Sequence, residues 1–176
     1  MSLSFCLSLL AGLTVMSGCV VPVAPQFDDP EPNFPPFVAS SDPGVGEIIT
    51  YSSDADRPIM VTIGDNNLGD SLFARWLIDY PSTDPDNMRK ALEARFLPSP
   101  TVIRSPPLKF LPNCNVIPRS AANPHRLVLS IADRPFLDRE NGDTVSTDAP
   151  FDTVPDGANR TRVVWLLHMD CPGPAQ

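Results

Sequence analysis

Four cysteines carry the most specific chemistry in this chain: Cys6, Cys19, Cys114 and Cys171. Cys19 closes an uncharged apolar run, residues 3–16, through two small residues, Ser17 and Gly18. The run has the length of a signal-peptide apolar region and falls short of the ~20 residues that a spanning helix needs. Small side chains just before a cut suit a peptidase pocket. Pro22 and Pro25 stop the run from continuing as a helix. Such a cut removes Cys6, and beyond Cys19 only Cys114 and Cys171 remain as a pair. In an oxidising compartment an isolated pair forms a disulfide. The long loop it closes makes this bridge worth about 4 kcal/mol in the chain-entropy account. A two-thiol metal site is the competing arrangement, but no His or Cys lies close in sequence to complete it.

Other reactive side chains are common in type and unspecific in spacing. His125 and His168 are the only histidines, and both fall within alternating apolar patterns. No G-x-S-x-G, H-E-x-x-H or phosphate-cradling glycine loop is present. Asp79 and Asp84 make an acid–base pair only in the sense that any two nearby carboxylates do. The reading is therefore of a non-enzymatic chain with no catalytic residues. Asp54, Asp56, Asp65, Asp70, Asp133, Asp138 and Glu140 stand in turn-like segments, where a group of them could supply oxygens to Ca²⁺. Asp65, Asp70, Asp133 and Asp138 are the metal candidates retained from this set. Turn formation and solvation explain most of these acids equally well.

Composition narrows the partners. A net charge of −8 and a pI near 4.5 exclude nucleic acid and a polybasic membrane patch. Of the 13 basic residues only Lys90 and Lys109 are lysine, a bias that genome composition explains better than any binding mode. Proline, at 22 residues, is the outlier. Seven prolines between residues 20 and 46 make an acidic, extended tether. Phe27, Phe34 and Phe37 within it serve either as a partner motif or as anchors packed back on the domain edge.

From Glu47 onward the pattern has period two. Residues 47–51, 59–63, 72–80, 108–111, 125–133 and 161–171 read as strands, with a brief one at 101–104. Met88, Leu92 and Phe96, at i, i+4 and i+8, predict a short helix or irregular insertion capped by Asp84 or Asp86. Trp76 and Trp165 lie on the apolar side of their strands and belong to the core. Residues 81–107 and 134–160 are long connections of the kind that carry recognition on a rigid scaffold. The organisation is a signal peptide at 1–18, a lipidated cysteine and linker at 19–46, one domain at 47–172, and a tail at 173–176.

Met16-Ser17-Gly18-Cys19 resembles the lipobox of bacterial lipoproteins, with Met16 where Leu is commoner and no Lys or Arg in residues 1–4. That resemblance implies a thioether-linked diacylglycerol and an N-acyl chain such as palmitate on Cys19. With Val20 and Val21 next, it implies outer-membrane sorting, facing periplasm or cell surface. Several acyl chains together anchor a protein stably. The segments Leu68-Gly69-Asp70-Ser71-Leu72-Phe73-Ala74-Arg75-Trp76 and residues 125–133 resemble the central and penultimate strands of Ig-like domains of the PKD, fibronectin and cadherin types. This implies an all-β Ig-like β-sandwich of about seven strands, with an envelope protein as partner or, alternatively, Ca²⁺ or a polysaccharide at acidic loop ends. No other cofactor is implied. Mass spectrometry of unreduced peptides is expected to recover Cys114 linked to Cys171; two free thiols in periplasmically produced protein would refute the pairing.

Overall fold

The computed structural model describes residues 32–52, 57–81, 89–113, 124–138, 141–145 and 151–170. Cys6, Cys19, Cys114, Cys171, Asp54, Asp56, Asp84 and Glu140 lie outside these residues. Eight strands form two sheets: β1 (Phe37–Asp42), β2 (Ile48–Ser52), β3 (Ile59–Gly64), β4 (Leu72–Ile78), β5 (Arg89–Phe96), β6 (Leu108–Phe110), β7 (His125–Ala132) and β8 (Arg160–Asp170). One sheet has the order β1-β3-β6 and the other β2-β8-β7-β4-β5. All neighbours are antiparallel except β2 and β8, which run parallel. The two sheets make an all-β fold compatible with a β-sandwich, of eight strands where about seven were expected, with the Trp-bearing β4 lying between β7 and the edge strand β5 of the larger sheet.

Alternation in the sequence becomes the core directly. Leu72, Ala74, Trp76 and Ile78 point inward from β4, as do Leu127, Leu129 and Ile131 from β7 and Trp165 and Leu167 from β8. Ile59, Val61, Ile63, Leu108 and Phe110 meet them from the smaller sheet. Trp76 stacks on Phe110 across the two sheets, with ring centroids 5.0 Å apart, and tilts against Trp165 at 5.5 Å. Antibody-type domains place a disulfide beside this tryptophan; here the neighbours are aromatic rings.

Strand β1 pairs with β3 within residues 19–46, the stretch expected as linker. The backbone of 32–36 is held by side chains of the domain. Asn67 accepts from the Phe34 amide and donates to the Pro32 carbonyl, while Asn159 and Thr161 donate to the carbonyls of Asn33 and Pro36. Phe37 then opens β1 with its ring against Gly64, so close that a Cβ there would sit 2.6 Å from the ring. The sequence reading missed this strand because prolines obscure its pattern. The chain then crosses to the other sheet around Gly46, whose φ of 83° suits glycine. The Gly46 amide donates to Val164 and the Trp165 indole to Pro43.

Where a short helix through Met88, Leu92 and Phe96 was expected, Leu92 and Phe96 lie in strand β5, while Met88 and the proposed caps Asp84 and Asp86 lie outside the described residues. A spacing of four satisfies period two as well as period 3.6, and residues 92–96 alternate Leu-Glu-Ala-Arg-Phe. Pairing with the edge of β4 decides between them, overriding the helix propensity of Ala, Leu, Glu, Arg and Lys. Among the described residues there is no α-helix. The strand expected at 101–104 reduces to a single bridge between Ile103 and Gly64.

Gly64→Ala is expected to destabilise the domain by about 1–3 kcal/mol through overpacking against Phe37. In a Phe37→Ala background the same change should cost much less. Urea unfolding of the four proteins measures the coupling, and strict additivity would show that the Phe37–Gly64 contact is not formed.

Candidate functional site

The larger sheet outspans the smaller one, and this opens a concavity beside β5. Beyond β6 there is no fourth strand of the smaller sheet among the described residues to cover the inner face of β5. Phe96 is still buried, but Leu92 is 43% exposed and Leu97, just past the strand, 67%. The segment 97–107 curls around this opening and forms its far wall. The resulting groove has a volume of about 610 Å³ and runs between β5, the prolines at 98, 100, 106 and 107, and β6. Its charged lining residues are Arg95, Arg104 and Lys109, with no carboxylate among them.

Arg104 is a wall-builder. It is buried, and its guanidinium donates to the carbonyls of Asn67, Asp70, Ser99 and Thr101. A planar fork with several donors suits such a carbonyl cage, which ties residues 99–104 to the 67–70 turn. On the opposite face of β5 lies a second, smaller hollow of about 310 Å³, bounded by Phe73, Arg75, Glu93, Arg95 and Phe136.

The outer face of the larger sheet carries a dense polar layer, closed over by the β7–β8 connection. Asp152 is fully buried there. Its carboxylate accepts from Tyr80 Oη at 2.6 Å, Ser130 Oγ at 3.0 Å, and Arg162 Nε and a terminal nitrogen at 2.5 and 2.6 Å. Burial by itself would raise the Asp152 pKa. The two bonds from Arg162, the Tyr80 hydroxyl and the charge of Arg160 outweigh it and hold the carboxyl below its ordinary range. The same burial and the adjacent carboxylate push the Tyr80 phenol well up. Arg75, also buried, is held by Glu93 and by Asp138 at 2.5 Å, donates to the Phe151 carbonyl at 2.8 Å, and lies 4.8 Å from the Phe136 ring centroid. Leu77, Tyr80 and Val128 pack with Phe151 and Val164 beneath this cover. The described part of 134–160 is therefore largely a lid fastened to the sheet, and its polar groups bond to one another.

The four metal candidates separate. Asp65, Asp70 and Asp133 come to one end of the sandwich, near enough that the latter two raise the pKa of Asp65. Burial is the main cause of that rise; the Asn67 amide and Arg104 oppose it. Asp133 is occupied by Asn33 Nδ2 at 2.7 Å and by the Asn159 amide, and Asp70 faces Arg134. Asp65 Oδ1 accepts from the Asn67 amide, while its buried Oδ2 has no hydrogen-bond partner in the structure. Asp138 belongs instead to the Arg75 cluster. Among the described residues, no group of three or more His, Cys, Asp or Glu is arranged to hold a metal ion.

The histidines also part company. His168 is exposed on β8. His125 is buried, with Nδ1 2.9 Å from Asp79 Oδ2. Asp79 itself has a left-handed backbone (φ 53°), which short polar residues tolerate, and its Oδ1 accepts from the Arg126 amide at 3.0 Å. The pair fastens the end of β4 to the start of β7. Neither concavity flanking β5 contains a histidine.

The sequence reading missed Tyr80, Ser130, Asp152 and Arg162 as a cluster, because they come from four separate segments. Only the placement of Ser130 and Arg162 on the outward register of their strands hinted at it. No family model, no curated protein and no solved structure matches this chain.

Asp152→Asn is expected to cost about 3 kcal/mol at neutral pH, since it leaves Arg162 facing a neutral amide. Because the folded pKa of Asp152 lies below the unfolded one, its stabilisation is complete above the ordinary carboxylate range. It is lost as pH falls through the depressed folded value. The stability gap between parent and variant should therefore begin to close only below about pH 4; a constant gap would exclude this linkage.

Proposed function

We propose that this chain is a non-enzymatic, outer-membrane-anchored lipoprotein whose β-sandwich is a protein-interaction module at the cell envelope. The observation that carries the reading is the contrast between two kinds of surface. The polar clusters over the outer face are consumed by internal bonds, whereas the groove beside β5 keeps apolar side chains open next to a strand edge. Catalysis needs a nucleophile, acid or base facing a cavity, and the groove offers only apolar, hydroxyl and cationic side chains. The lipobox, with Cys19 as the acylated residue, and the acidic Pro-rich segment after it supply the anchor and spacer in this reading. The Cys114–Cys171 disulfide belongs to the same reading, through the oxidising compartment it requires.

A second reading, Ca²⁺ or polysaccharide binding at the acidic end, is favoured by one feature, the unpartnered Oδ2 of buried Asp65. The engagement of Asp133 and Asp70 by amides and Arg134 weighs against it.

Cys19→Ala is expected to move the chain from the detergent phase to the aqueous phase on Triton X-114 partitioning, and globomycin should leave the unprocessed precursor. In intact cells, a short amine- and carboxyl-reactive cross-linker should give one discrete adduct of the anchored parent with an envelope protein. Unchanged partitioning would refute the anchor, and absence of any adduct would refute the interaction module.

A further inference from the structure

Building on the interaction module proposed above, we infer that the outer edge of β5 takes up an extended, acidic–apolar peptide segment of a partner protein as an additional strand. The four edges of the two sheets differ in how well they are closed. Strand β6 is three residues long and follows two prolines, Pro106 and Pro107. Strand β1 is bulged between Val38 and Ser40 and runs into Pro43. Strand β2 has five residues and pairs in parallel with β8. Strand β5 has eight residues and contains no proline, and among the described residues it pairs with β4 alone. Its irregularity opposite Trp76 and Leu77 lies at Ala91, so residues 92–96 form an unbroken pairing segment.

An edge strand offers a row of backbone donors and acceptors to any chain of matching form. What distinguishes β5 is that a hollow lies on each face of that edge. Ala94 and Arg95 line both the 610 Å³ groove inside and the 310 Å³ hollow outside. Side chains of an added strand point alternately to the two faces, at about 4.8 Å from β5. One set would enter the inner groove, whose walls are Leu92, Phe96, Leu97, Leu108 and prolines; the other would lie over the outer hollow. Main-chain pairing then supplies affinity and the two hollows supply selectivity.

The charges identify the segment. Glu93 and Lys90 are drawn into the cluster around Arg75 and Asp138. Arg95 and Lys109 make no ion pair among the described residues, and Arg95 lies over the Phe73 ring at 5.4 Å from its centroid. A groove whose charged lining residues are all cationic favours an acidic strand. The fitting partner has apolar residues at alternate positions, for the groove, with Asp or Glu between them, for Arg95.

The test uses the full-length chain and a capped seven-residue peptide of alternating valine and aspartate. Hydrogen exchange is expected to show the amides of residues 92–96 protected on binding. A valine–lysine peptide, and a valine–aspartate peptide N-methylated at alternate residues, should each bind at least tenfold more weakly. Arg95→Glu with Lys109→Glu should reverse the preference toward the lysine peptide, a gain that a misfolded variant cannot produce. The inference is overturned if the aspartate peptide does not bind, if it protects another segment, or if charge reversal leaves the preference unchanged. Protection of 92–96 in the absence of peptide, with doubling of mass in sedimentation, would overturn it in favour of a second copy. Photo-cross-linkers at Leu97 and at Ile48, on the opposite edge, separate this inference from the reading it rests on. Adducts at Leu97 alone support both; adducts at Ile48 alone keep the module and refute the β5 site; adducts at neither refute both.

Discussion

Three strands packed on five cannot cover an apolar face, and most of what is individual about this domain answers that mismatch. The inner side of the larger sheet presents Trp76, Trp165, Leu127, Leu129 and Ile131, which must be removed from water at about 25 cal/mol per Å². Strands β3 and β6 cover the centre, where Trp76 stacks on Phe110 across the two sheets. At one margin the deficit is met by recruiting the Pro-rich segment. Residues 32–36 are held by Asn67, Asn159 and Thr161, and Phe37 lies on Gly64. At the other margin residues 97–107 bend inward around the Arg104 cage, and the cover stays incomplete. The groove is thus the remainder of a packing problem, and the open edge of β5 lies along it.

Arginine chemistry settles the other face. Arg75, Arg160 and Arg162 bind carboxylates and carbonyls beneath the β7–β8 connection, and Arg104 binds four carbonyls at the sandwich end. Arg75, Arg104 and Arg162 each use several donors of one planar guanidinium, which a lysine ammonium cannot reproduce, whereas Arg160 bonds through a single nitrogen. The shortage of lysine, which the sequence alone attributes to genome composition, thus has structural uses at the first three of these positions. The surplus of acids is likewise partly structural: Asp133, Asp138 and Asp152 each terminate a bond network that holds an otherwise irregular connection in place.

Legibility in the sequence followed burial. Strands β3, β4, β7 and β8 were readable because one face of each is packed against the opposite sheet, so that alternation survives in the residue types. Both tryptophans were assigned to the core for the same reason, and both are fully buried. Strand β1 was hidden because its pairing is with β3 while its composition is that of a spacer. Strand β5 was taken for a helix because its residues favour helix locally and only the edge of β4 dictates otherwise. The convergence of Asp65, Asp70 and Asp133 could be anticipated from turns at one end of neighbouring strands. The attachment of Asp138 to Arg75, 63 positions away, could not be, since no local pattern encodes it. Of the two long connections, the described residues from 89 to 107 contribute β5 and a groove wall, whereas the described part of 134–160 is bound down as a cover.

The parallel pairing of β2 with β8 has a mechanical meaning. The two strands share five register pairs, from Ile48 with Leu166 to Ser52 with Asp170. A pull directed toward the start of β2 and the end of β8 slides these strands past each other along their axes. All the hydrogen bonds between them then bear load together, in shear, instead of opening one after another as in a peeled hairpin. Strand β1 pairs with β3 in the other sheet and lies outside this clamp. A domain wired in this way resists such a pull as a stiff link, a property set by strand direction and not by the composition of any one strand.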